Sequence, residues 1–219
     1  FLPDLPPPRS FAQRIVDMFG GLSVRAPTLT VLESLPLQSF EIGGTSWAGW
    51  SLLDGEVLVL RTSGHTAGHV AVFLKEPGLL HLGDETTSYY QVFTDSRPSD
   101  NLLTLQRAAA AVEVGAVEVL TDGHSFTVRR GDAARAFLLE LIDAAIAYDA
   151  AVTRILDEGT GKLTAAEIIA QLADAPELKG VPAGANDLPL FAYMQLFNKF
   201  REIGTAVPPT PKAPVNLPE

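Results

Sequence analysis

The sequence predicts an α/β fold: a sheet interleaved with helices, followed by a helical C-terminal extension. Three observations predict it. Between Phe40 and Asp84, short apolar runs are broken by turn dipeptides, the pattern of successive hairpins. Between Leu102 and Leu120, an alanine-rich helical stretch is followed by a short β-branched run, so that strand and helix alternate. From Asp132 onward, apolar residues recur at helical spacing, and no further strand pattern interrupts them.

Taken in order, residues 1–30 are a leading segment. They combine the proline-rich opening Phe1 to Pro8 with an amphipathic stretch, Phe11 to Phe19, closed by Gly20-Gly21. Residues 31–135 hold the sheet. Ser51-Leu52-Leu53, Asp54-Gly55 and Val57 to Leu60 read as one hairpin; Val70 to Leu74 and Leu79 to Leu82, joined by Lys75-Glu76-Pro77-Gly78, read as a second. Asp100 is placed to cap a helix from Leu102 to Val114, with Gly115 as its stop. Val117 to Leu120 is the next strand. Residues 136–204 form the helical extension, including most of a helix from Ala133 to about Leu156. Thr164-Ala165-Ala166-Glu167 then matches a capping box opening a helix to Leu172. A last helix is expected from Leu190 to Ile203. Residues 205–219 are a proline-rich tail.

Composition narrows the function classes. With 219 residues and 47% hydrophobic content, the chain can bury a substantial core. Its 16 Lys and Arg against 26 Asp and Glu give a net charge of −10 with no basic cluster, which excludes nucleic acid as an expected partner. The absence of cysteine excludes disulfides and thiolate ligands, restricting any metal site to nitrogen and oxygen donors. No apolar run is long enough to span a bilayer, and the opening lacks the basic region of a signal peptide. A membrane partner is therefore not expected, and a cytoplasmic location is favoured slightly without being fixed.

The four histidines are His65, His69, His81 and His124. Thr62-Ser63-Gly64-His65-Thr66-Ala67-Gly68-His69 follows one strand, Leu80-His81-Leu82-Gly83-Asp84 closes the next hairpin, and Leu120-Thr121-Asp122-Gly123-His124 follows a third strand. Each strand exit thus presents a polar side chain beside a glycine that permits close backbone approach. A single loop histidine is more often a hydrogen-bonded surface residue than a ligand, and Gly-Asp after a strand is commonly a turn. Their order is more specific. GHTAGH, a hairpin, LGD, a helix and strand, then DGH resembles the second half of the metallo-β-lactamase fold superfamily over roughly residues 40–130.

The resemblance implies half or more of an αββα sandwich. It implies His65 as a ligand of one metal, Asp84 as the carboxylate bridging two metals and the catalytic residue of this chain, and His124 as a ligand of the second metal. Zinc is the first expectation, with iron or manganese as alternatives. A carboxylate can bridge two cations about 3.5–4 Å apart, and a metal-bound water loses a proton near neutral pH. The expected activity is hydrolysis of an ester, lactone, thioester or amide by metal-bound hydroxide. His69 is expected to support the site without ligating, His81 to be a core histidine and Asp122 to orient the loop of His124. Tyr89, Tyr90, Trp47 and Trp50 are expected to pack. The apolar stripes of the last helices, with Phe191, Leu196 and Phe200, read as packing or as a homo-oligomer surface.

This sequence departs from the superfamily pattern at Ser63 and Ala67, where prolines are usual, and at Glu85-Thr86-Thr87, where apolar residues are common. These changes should affect loop stiffness and the pocket wall. The larger departure is the absence of HxHxDH, which carries the remaining ligands; with no histidine upstream of His65, it lies outside this sequence. A partner polypeptide bearing that motif is therefore expected. The non-methionine start at Phe1 suggests a cut or a genetic split that yields a heterodimer. Two other readings keep the same fold: a di-iron redox or oxygen-using enzyme, and a non-catalytic binding relic.

Overall fold

The computed structural model describes residues 32–87, 93, 95–125, 127–159, 163–180 and 189–204, without the side chains of residues 33 and 189–193. The leading segment 1–30, Tyr89, Tyr90, the side chain of Phe191 and the tail 205–219 lie outside this description. The chain divides into two compact units, Phe1–Pro36 and Leu37–Glu219. Of the first, a short 3-10 turn, Leu32–Ser34, is described.

The second unit is a mixed α/β structure built on a six-stranded sheet. Its strands are β1 (Gln38–Ile42), β2 (Thr45–Leu52), β3 (Val57–Arg61), β4 (Val70–Leu74), β5 (Leu79–His81) and β6 (Val119–Thr121), arranged in sequence order. Pairs β1 to β5 are antiparallel, as hairpin connections dictate, whereas β5 and β6 are parallel. A parallel pair needs a long crossover. Helix α1 (Pro98–Glu113) lies in that connection.

Both predicted hairpins form. At the first, Leu53, Asp54 and Gly55 turn the chain with φ of 51°, 54° and 92°. A further hairpin precedes them, with Ile42 opposite Thr45 across Gly43-Gly44. The sequence reading did not single it out because polar Gln38, Ser39 and Glu41 hide the apolar alternation of β1. Strand β6 starts two residues later than predicted. The backbone N–H of Val117 bonds to Ala111 (3.1 Å) and that of Glu118 to Gly78 (2.9 Å), holding both in the approach to the strand.

Helix α1 starts earlier than Leu102. Arg97 occupies the N-cap in an extended conformation, and Pro98 stands where its missing N–H costs nothing. Asp100 lies in the first turn and is not the cap. The N–H and hydroxyl of Ser99 are instead received by the Glu202 carboxylate, at 3.0 and 2.8 Å. The remaining helices are α2 (Gly131–Glu158), α3 (Ala165–Ala173) and α4 (Pro189–Glu202). The Thr164–Glu167 capping box is present in full.

Two hydrophobic clusters result. The first packs one sheet face, including Trp47, Leu58, Leu60, Phe73 and Leu80, against α1 and the start of α2. The second gathers the later turns of α2 with α3 and α4, burying Tyr148, Ile155, Ile168, Leu196 and Phe200. Helix α2 runs unbroken through both, so residues 135 and 136 lie inside it. The other sheet face is also apolar: Trp50, Val59 and Val119 are buried, and Val57, Val70, Val72 and Leu79 are half-buried. Sheets of that composition are built to be covered on both faces. Among the described residues, no helix is long and apolar enough to cross a membrane.

Candidate metal centre

Three loops meet beyond the strand ends. The loop after β3 carries His65 and His69, the 3-10 turn Gly83–Thr86 after β5 carries Asp84, and the loop after β6 carries His124. The Asp84 carboxylate lies between two imidazoles. Nε2 of His65 is 3.7 Å from Oδ2, and Nδ1 of His124 is 3.4 Å from Oδ1. His65 is buried, whereas Asp84 and His124 are half open to solvent.

Hydrogen-bond direction assigns the state of His65. Thr87 Oγ1 donates its proton to the Asp84 carbonyl (2.9 Å), so it can only accept from His65 Nδ1 (3.3 Å). Nε2 is then left with a bare lone pair facing a carboxylate oxygen. Burial first, and the neighbouring His69 and His124 in addition, lower the His65 pKa despite the opposing pull of Asp84 and Glu85. A neutral imidazole and a carboxylate oxygen facing each other are two acceptors without a proton, an arrangement that a cation would satisfy. Two donors about 2.0–2.2 Å from a shared tetrahedral ion lie about 3.4 Å apart, close to both separations here.

The donor set is incomplete. Among the described residues, no three His, Asp or Glu side chains are grouped to hold one metal ion, because the two histidines address different oxygens of Asp84. Each position offers one nitrogen and one oxygen. Catalytic zinc sites ordinarily have about three protein ligands.

His69 is occupied otherwise. Its Nε2 accepts the Asp84 backbone N–H (3.1 Å), which places the ring proton on Nδ1, against Thr62 Oγ1 (2.8 Å) and Glu85 Oε1 (3.2 Å). It therefore holds the Asp84 loop and has no free nitrogen for a metal. His81 is half-buried in β5 and meets Thr121 Oγ1 through Nδ1 at 3.0 Å. Asp122 organises its loop: Oδ1 accepts the N–H groups of His124 (2.8 Å) and Ser125 (2.6 Å), and Oδ2 receives Arg129 (2.7 Å). These bonds, led by those from Ser125, outweigh burial and pull its pKa down to about 2.

Glu85 is the residue that sequence reasoning misplaced. It was expected at the pocket wall, yet it is fully buried beneath the His65 loop. Oε1 accepts the N–H groups of Gly64 (2.9 Å) and His65 (3.2 Å), while Oε2 accepts from the Asn101 amide of α1 (2.5 Å). Although burial opposes ionisation, the bonds from His69, Asn101 and Thr62 lower its pKa to about 2. No local sequence signal marks this role, because Asn101 lies 16 residues further along the chain.

Gly64 is required by this crowding: a Cβ there would stand 2.5 Å from the Cα and 2.6 Å from the backbone nitrogen of Asn101. A Cβ on Gly123 would stand 2.4 Å from Asp84 Oδ1 and would push that carboxylate aside.

No family model matches the chain, and no match was found among curated proteins. Solved structures do match. A stereoselective inverting sec-alkylsulfatase from Pseudomonas sp. is similar at 15% identity and a TM-score of 0.50, over 74% of this chain and 25% of that one. A metallo-β-lactamase family protein from Thermus thermophilus is 24% identical over 76% of this chain and 48% of its own, with a TM-score of 0.42. A β-lactamase domain protein from Burkholderia ambifaria is 17% identical over 71% and 46%, with a TM-score of 0.45. The chain thus spans about half the length of the Thermus protein and a quarter of the sulfatase. At 15% identity the likeness to the sulfatase is one of fold: the chain has a mixed α/β architecture, a six-stranded sheet with helices.

Proposed function

We propose that this chain supplies His65, Asp84 and His124 to the dinuclear centre of a metal-dependent hydrolase acting on an ester, lactone, thioester or amide. The remaining donors would come from a polypeptide segment outside this sequence that carries HxHxDH. The observation that carries the reading is the placement of one carboxylate between two imidazoles, each facing a different oxygen. Asp84 would bridge, His65 would ligate through Nε2 and His124 through Nδ1. Divalent cations, zinc first, would supply Lewis acidity and an acidified water to such a site. The residues of this chain provide orientation. Thr87 fixes the His65 tautomer, His69 fixes the Asp84 backbone, Asp122 shapes the His124 loop, and Glu85 holds the backbone at Gly64 and His65.

Calorimetric zinc titration of the purified chain tests the reading. Weak binding is expected, and Asp84→Ala should remove it at both positions while far-ultraviolet circular dichroism stays unchanged. Addition of an HxHxDH-bearing polypeptide should tighten binding and produce hydrolysis. Zinc uptake by Asp84→Ala equal to that of the unaltered chain would overturn the bridging role.

A further inference from the structure

The C-terminal helix reaches the His65 loop through a short relay. From α4, Asn198 Nδ2 donates to the Phe93 carbonyl (2.8 Å), Arg201 donates to the Ser96 carbonyl, and Glu202 receives the N–H and hydroxyl of Ser99 (3.0 and 2.8 Å). These residues, lying within two turns of one helix, fasten Phe93 and residues 95–99. That segment is in turn attached to the His65 loop at three points. Ser96 Oγ donates to the His65 carbonyl (2.5 Å), the Arg97 N–H bonds to the Gly64 carbonyl (2.8 Å), and the Phe93 ring meets the His65 imidazole edge-on at a centroid distance of 4.9 Å.

Packing alone does not account for these side chains. Asn198 is fully buried beside Leu196 and Phe200, where an apolar residue would fill the space without the cost of desolvating an amide. Its amide instead meets a main-chain carbonyl 105 residues away. Glu202 likewise adds a negative charge at the N-terminus of α1, where the helix dipole favours it.

We propose that Asn198 and Arg201 are positioning residues for His65, acting through Phe93 and Ser96, so that the helical extension sets the orientation of one imidazole of the site. The consequence for metal binding rests on the reading of His65 as a ligand; the positioning itself does not.

The test uses the full chain without metal, labelled with 13C in histidine, so that each of the four imidazoles is followed separately. In the double variant Asn198→Leu, Arg201→Met, the His65 resonance should shift or broaden while those of His81 and His124 stay in place. Zinc affinity should fall about tenfold, as for the loss of other groups that orient a ligand. Arg201→Lys, which keeps a donor for the Ser96 carbonyl, should move the His65 signal less than Arg201→Met. A folded double variant with an unmoved His65 signal would overturn the proposal. Should the double variant fail to fold, Arg201→Met alone must still move His65, and no shift there overturns it equally. Absence of zinc binding to the unaltered chain would count against His65 as a ligand, leaving the imidazole signals to judge the positioning.

Discussion

At Glu85 a buried charge is retained because two elements supply its hydrogen-bond donors: the loop after β3, through Gly64, His65 and His69, and helix α1, through Asn101. Its usual pKa is 4.5 and its folded value about 2. A depressed carboxyl stabilises the fold fully above the unfolded value, and that stabilisation is lost as pH falls toward the folded one. Glu85→Gln should therefore destabilise the chain by about 2–3 kcal/mol at pH 7, since the new amide would meet the Asn101 amide donor to donor. The gap should narrow as pH falls from 4.5 toward 2. Urea midpoints of both proteins across that range test it, and an equal gap at both ends would refute the ionised state. Legibility at this scale divided by distance. His65, Asp84 and His124 stood out because each follows a strand beside a glycine. Glu85 did not, because burial and a partner on another element leave no mark in its neighbourhood.

Among the elements, the same division separates the starts of two helices. Helix α3 was readable at Thr164-Ala165-Ala166-Glu167 because both capping partners lie within four consecutive residues. The start of α1 was misread because the carboxylate serving its first turn is Glu202, 103 residues from Ser99. Asp100 was simply the nearest acidic residue. Thr164→Ala should remove one side of the capping box and cost about 1 kcal/mol, read as a lowered thermal midpoint. Serine at the same position should restore most of the loss. No recovery with serine would assign Thr164 a packing role instead. The hairpins were legible from turn dipeptides, whereas β1 was hidden by its polar alternation and became visible through its pairing with β2.

For the molecule as a whole, the sequence marked a sheet followed by helices, but not that one helix would serve two cores. Periodicity reports that a helix has an apolar face; it does not report which partner each turn of that face meets. Helix α2 meets the sheet and α1 through Leu138, Leu141 and Ile142, then α3 and α4 from Ala144 onward. It works as a shaft that keeps the two cores in phase. One residue added to an α-helix turns everything beyond it by about 100°. A single alanine inserted between Asp143 and Ala144 should swing the second core, α3 and α4 included, about 100° relative to the first, drawing Asn198, Arg201 and Glu202 away from Phe93, Ser96 and Ser99, and the chain should melt in two steps. Seven inserted residues nearly restore the angle, with a drift of about 20°, but separate the cores by about 10 Å along the axis. That variant should recover a cooperative melt yet leave Asn198 and Glu202 out of reach of Phe93 and Ser99. Differential scanning calorimetry of both insertions distinguishes rotation from translation; identical behaviour of the two would mean that the cores keep no common phase.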